Sequence, residues 1–162
     1  VPKTSQLQIR VTPGQKARLK RLAASAGQDV STYVLGRVLP ADEQRFAAIL
    51  RRLARDDDRR YALAELHDLL VTLSPAGFDD ALASGVGERL SPLLRNYVAA
   101  MVEHAAARVG VHPPAWVREI APLDEPYFAA PLRSLRLHLL AASPVAFKRR
   151  NIFVDAAVGD RV

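Results

Sequence analysis

From Gln6 to Thr12 polar and apolar positions alternate, with Gln6, Gln8 and Arg10 set against Leu7, Ile9 and Val11. A period of two is that of a half-buried strand, and a strand this short needs a partner to be stable. Pro13 and Gly14 end the alternation. Beyond them Leu19, Leu22, Ala23 and Ala26 recur at helical spacing, which leaves Lys16, Arg18, Lys20 and Arg21 on the remaining surface. Gly27 supplies the stop. A second helix is predicted from near Asp29, a good capping residue, with Val30, Val34 and Val38 on one stripe and Pro40 closing it. The order within residues 1–40 is strand, helix, helix.

The remainder reads as mostly helical. Phe46, Ile49, Leu50 and Leu53 fall at helical intervals, as do Tyr61, Leu63, Leu66, Leu69, Leu70 and Leu73, and the run RDDDRR between the two sets is a turn or a polar junction. Ser74 before Pro75 marks another helix start, Gly85 and Gly87 interrupt, and Ser91 before Pro92 opens a longer helix reaching Gly110. The stretch VHPPAWVREIAPLDEPYFAAP is rich in proline and is predicted as an ordered irregular wrap anchored by Trp116, Tyr127 and Phe128. Short helices are expected over 132–142 and 143–150, followed by an apolar NIFV segment.

Charge is distributed unevenly. The chain of 162 residues carries a net charge of +6. Residues 1–40 hold seven basic groups against one acid, residues 41–110 nine against eleven, and residues 111–162 seven against five. The whole excess therefore lies in the first quarter, where a polyanion is the expected partner. With about half its residues apolar the chain buries a real core. It contains no cysteine, which excludes disulfides and thiolate zinc sites. No apolar run approaches the roughly 20 residues that span a bilayer, and the first ten residues lack the apolar stretch of a signal peptide. A cytoplasmic protein without membrane contact is expected.

The strand, the basic helix, Gly27 and the capped second helix together resemble the ribbon-helix-helix superfamily of MetJ and Arc type DNA-binding proteins, over residues 5–39. The resemblance implies a homodimer in which two N-terminal strands pair into an antiparallel ribbon that enters the major groove of an operator. It places Gln6, Gln8 and Arg10 against base edges, where an amide suits adenine and a guanidinium guanine, each pair worth about 1–3 kcal/mol of discrimination. Leu7, Ile9, Val11, Leu19, Leu22, Val34 and Val38 would form the shared dimer core. Lys3, Thr12, Lys16 and Lys20 would serve DNA phosphates, together with the backbone at Val30 and Ser31 at the start of the second helix. Asp29 departs from the neutral hydroxyl that many relatives carry at that place. The implied architecture is mostly α, a ribbon-helix-helix unit over residues 1–40 and a helical region with an irregular proline-rich segment over residues 41–162.

The stretches LLRNYVAAMVEHAAARVGVHPPAWV, LDEPYF and SLRLHLLAASPVAFKRRNIFVD resemble the C-terminal region of a family of small bacterial antitoxin-like proteins associated with nucleotidyltransferase-like toxins. This implies a division of labour in which the N-terminal unit binds an operator and represses its own promoter, while the C-terminal region silences a toxin encoded by an adjacent gene. The candidate partner contacts are Trp116, Tyr127, Phe128, Phe147, Lys148, Arg149, Arg150 and Phe153.

Signatures of catalysis are missing from the sequence. His67, His104, His112 and His138 form no His-x-x-x-His pair, and Asp56 to Asp58, Asp79 and Asp80 stand without a phosphate loop or a nucleophile elbow. An enzyme, a metal site and a cofactor are not expected. Two other classes share the N-terminal pattern, a plain transcription regulator with a ligand-binding or tetramerising C-terminal region and a plasmid-mobilisation accessory protein.

Overall fold

Nine helices and two very short strands make up the computed structural model over the residues it describes, 8–38, 41–55, 58–130 and 132–155. The first helix, α1 (Pro13–Ser25), begins at a reciprocal cap: Gln15 N–H donates to Thr12 Oγ1 at 3.3 Å and Thr12 N–H to Gln15 Oε1 at 2.9 Å, with Pro13 in the first turn where a missing N–H costs nothing. It ends at Gly27, whose φ of +64° is left-handed. Gln28 N–H reaches back to Ala23 O and Gly27 N–H to Ala24 O, which satisfies the last carbonyls of the helix. The next helix, α2 (Val30–Val38), is capped by the Asp29 carboxylate, which accepts from both the backbone and the hydroxyl of Thr32.

No strand forms at residues 8–12, the described part of the alternating segment; the two strands lie instead in the C-terminal part. A ribbon strand has nothing to pair with inside one chain, since its hydrogen-bonding partner would belong to a second. Lys3, Gln6 and Leu7 lie outside the described residues.

The main core begins at α3 (Ala41–Arg55), which packs Phe46, Ile49, Leu50 and Leu53 against Ala62, Leu66, Leu69 and Leu70 of α4 (Arg59–Thr72). Glu65 of α4 pairs across this junction with Arg45, at 3.6 Å, and with Arg52. The Ser74 hydroxyl accepts from Gly77 N–H and starts a short 3-10 turn that runs into α5 (Phe78–Leu82). The Ser91 hydroxyl caps α6 (Pro92–Val109), the central helix, whose end at Gly110 is again left-handed.

The proline-rich stretch is more ordered than an irregular wrap. It contains α7 (Ala115–Glu119) and β1 (Tyr127–Phe128), and β1 pairs in parallel with β2 (Ile152–Phe153), the NIFV segment. Strands of two residues show no alternation to read, which is why the pattern missed them. Trp116 of α7 anchors the stretch from inside: its indole N–H donates to Leu82 O at 2.9 Å and its ring stacks on Phe46. Gly85, at φ +61°, closes the space over that indole, and a Cβ there would stand 3.2 Å from Trp116 Cγ. Between the strands lie α8 (Arg136–Ala142) and α9 (Val145–Lys148).

Arg150 fastens this last third of the chain to α6. Only 5% exposed, its guanidinium donates to Val117 O at 2.6 Å, Ile120 O at 3.3 Å and Asn96 Oδ1 at 3.2 Å, while Nε faces Glu103 Oε2 at 3.6 Å. Burial lowers its pKa and Glu103 opposes that fall, but a guanidinium stays charged at any working pH. Neighbouring Arg149 also pairs with Glu103, at 3.0 Å, on the solvent side. Arg150→Ala should therefore cost about 3 kcal/mol in chemical denaturation, because it strands two carbonyls and a carboxylate. Arg149→Ala should cost less than about 1 kcal/mol. Equal losses from the two would show that Arg150 is not the clasp.

Tyr97 of α6 packs edge-on against Phe147, with ring centroids 5.3 Å apart. Burial, with Tyr127 adding to the effect, pushes its phenol up to about 12 from 10.0. The folded chain thus favours the neutral form, so this contribution is complete below pH ~10 and is lost as pH rises from about 10 to about 12. Urea midpoints should fall over that window in the wild-type chain and fall less in Tyr97→Phe, whose absorbance titration should also lack an ionisation near pH 12. A wild-type midpoint that declines no faster than that of Tyr97→Phe would contradict the assignment.

Candidate functional site

Residues 8–38 form a helix pair with almost no interior. Ala23 is the one buried side chain there among the described residues, and the buried apolar cluster that unites the rest runs from Phe46 to Val154 without a member from this segment. The expected dimer-core residues that the structure describes are half-buried at best: Leu19 and Val34 are partly covered, whereas Ile9, Val11, Leu22 and Val38 are exposed, Ile9 at 63% and Val38 at 73%. Leu35 is exposed as well and was not singled out by the valine stripe. Apolar side chains recurring at these intervals on a short helix pair normally cover a core, and the described residues provide none here.

The same segment carries the cations. Arg10, Lys16, Arg18, Lys20 and Arg21 are all exposed, and none enters an ion pair among the described residues. Arg37 lies over the Tyr33 ring at 5.6 Å. Gln8 and Arg10 are exposed ahead of α1. The Thr12 hydroxyl is engaged in capping α1, and the Asp29 carboxylate sits on the first turn of α2, close to the backbone of Val30 and Ser31. Gln44 Nε2 donates to Gly36 O at 3.1 Å and so ties α2 to α3.

The eight aromatic and basic candidates of the C-terminal region do not gather in one place. Trp116 is packed into the core on Phe46, and Phe147 is buried against Tyr97. Phe128 and Phe153 stack on each other at 4.9 Å across the parallel strands, and Tyr127 beside them is exposed. The three consecutive cations go separate ways: Lys148 Nζ donates to Ala141 O at 2.8 Å, Arg149 pairs with Glu103, and Arg150 is buried. A helical spacing that puts Ala146, Phe147 and Arg150 on one face is the signal that separates Arg150 from its neighbours.

Two cavities adjoin α6. One, about 120 Å³, is lined by His67, Met101, His104, Arg108 and Phe147 among others. The second, about 400 Å³, lies at the start of α6 between Arg95, Asn96, Glu119 and Asp124, where Arg95 Nε is buried without a hydrogen bond. Among the described residues no group of three or more acidic or histidine side chains could hold a metal ion, and no helix is long and apolar enough to cross a membrane.

No curated protein and no solved structure matches the chain. Residues 4–73 match the family model described as Antitoxin ParD. The N-terminal part of the chain, through α4, is thus similar to an antitoxin of that kind.

Proposed function

We propose that the chain is a DNA-binding antitoxin, acting as a dimer, that represses its own promoter and neutralises a toxin encoded by an adjacent gene. The observation that carries the reading is the match to an antitoxin family over residues 4–73, the segment that includes the exposed cations and the coreless helix pair. Two copies joined through Ile9, Val11, Leu22, Val34 and Val38 would give each helix pair the core it lacks and would pair the edges of two N-terminal strands. The cations of Arg10 and α1 would then meet phosphates and base edges from both halves. Residues 41–162 would serve the toxin, and the resemblance of their C-terminal half favours a nucleotidyltransferase-like one.

The toxin reading is tested by growth. Expression of the neighbouring gene alone should arrest cells, and co-expression of the full chain should restore them. If arrest persists, or never occurs, a plain transcription regulator becomes the better account.

DNA binding is tested on the promoter that precedes the gene. Two chains should bind per operator half-site pair in a stoichiometric titration. Arg10→Ala should relax sequence preference, whereas Lys20→Ala should weaken all duplexes alike and reduce the salt slope by roughly one. A folded monomer binding one to one, or uniform loss from both substitutions, would count against a sequence-reading ribbon.

A further inference from the structure

The outer side of α8 is apolar, and among the described residues nothing covers it. On a helix each residue advances about 100°, so Leu139 and Ser143 share one side, and both are buried. Ser143 fixes that side: its hydroxyl accepts from Val154 N–H at 2.9 Å and lies within bonding distance of Val154 O and Leu139 O. Leu137 lies on the far side and Leu140 on the flank next to it, 79% and 43% exposed, and Leu132 and Val145 at either end are 61% and 62% exposed. Isolated exposed leucines need no explanation, but so many within residues 132–145 mark a contact surface.

Charge decides what the contact is with. Residues 126–155 contain five cations and a single carboxylate, Asp155, which faces His138 of α8 at 3.7 Å. Lys148, Arg149 and Arg150 are held by Ala141 O, Glu103 and the α6–α7 carbonyls, which leaves Arg133 and Arg136 exposed beside the leucines. Arg136 lies over the Phe128 ring at 4.9 Å, an arrangement that orients a guanidinium and leaves its edge donors free for a carboxylate. We infer that this face of α8 is the docking surface for a protein partner whose own surface is apolar and acidic.

A second copy of the chain docked on the same face fits poorly, because it would set Arg133 and Arg136 against their own counterparts, with one carboxylate, Asp155, beside them that already faces His138. A nucleic acid would find two free cations on a field of leucine rather than a charged groove with stacking rings. Leucine with interspersed arginine is instead the composition of a protein interface centre.

The inference rests on the reading that the chain binds the product of the neighbouring gene, and names where. The test uses the full chain, that purified product as probe, and calorimetry. Leu137→Glu with Leu140→Glu, and separately Arg133→Glu with Arg136→Glu, should each weaken the complex at least about tenfold while leaving helix content and DNA binding unchanged. The arginine pair removes no packed apolar side chain, so it carries the test if the leucine pair unfolds. Wild-type binding with both double variants unaffected would overturn this surface and leave the toxin reading intact. Failure of the wild-type chain to bind would remove both. Binding of phosphatidylglycerol vesicles, or sedimentation beyond a dimer, that either double variant abolishes would assign the face to lipid or to a second copy and overturn the proposal.

Discussion

A buried guanidinium organises the last third of this chain around α6. Arg150 enters the space between α6 and α7, where the backbone after α7 leaves Val117 and Ile120 carbonyls without helical partners, and it supplies the donors for both. Burying such a charge without acceptors would be costly. Asn96 extends the network, since its side-chain amide donates to Pro92 O and Ala121 O while its oxygen accepts from Arg150. A side chain that demands four partners in fixed directions has few alternative seats, so it fixes the register of everything attached to it. Asn151, at φ +60°, then turns the chain, and β2 follows directly alongside β1.

From that seat the arrangement propagates outward. β2 leads to Val154, whose backbone N–H donates to the Ser143 hydroxyl, and Ser143 ends α8. The inner side of α8 is thereby occupied, and among the described residues no element covers its apolar outer side. The exposed leucines are thus a consequence of the clasp, because a helix free to roll would turn them inward and show Ser143 to water. A patch maintained against the hydrophobic effect by internal hydrogen bonds is the kind of surface that binding, rather than folding, accounts for.

How much of this was legible in the sequence follows from the length scale of each signal. Long elements with caps were plain: Ser91-Pro92 to Gly110 and Pro13 to Gly27 have both ends written in residues whose backbone role is specific. The fine structure of residues 110–155 was not. Its strands are two residues long, and its decisive bonds join positions about 30 to 54 residues apart, such as Arg150 to Asn96 and Trp116 to Leu82. Three consecutive cations look alike in composition, and only their contacts make one a clasp, one a surface pair and one a carbonyl donor. The same holds for α8, where leucine on both sides leaves periodicity silent about which side meets the core. At the candidate DNA site, the capping of α1 by Thr12 and of α2 by Asp29 agrees with the residues' local chemistry, while Gln6 and Leu7 fall outside the described residues.

The two parts of the chain also differ in the physics available to them. Residues 8–38 present exposed cations that enter no ion pair among the described residues, so a polyanion would meet them through charge, screened by salt within about a Debye length. The face of α8 offers leucines with two arginines, an interaction in which burial supplies most of the energy and charge chiefly selects the partner. The antitoxin-like match over residues 4–73 crosses this division, for α3 and α4 lie in the core while α1 and α2 do not. On the proposed reading the operator-binding segment is therefore joined by α3 to the helical core, with Gln44 bonded to Gly36 at the joint. A toxin held on α8 would ride on that core, and the two tasks would respond to salt in different degrees because one rests on charge and the other on burial.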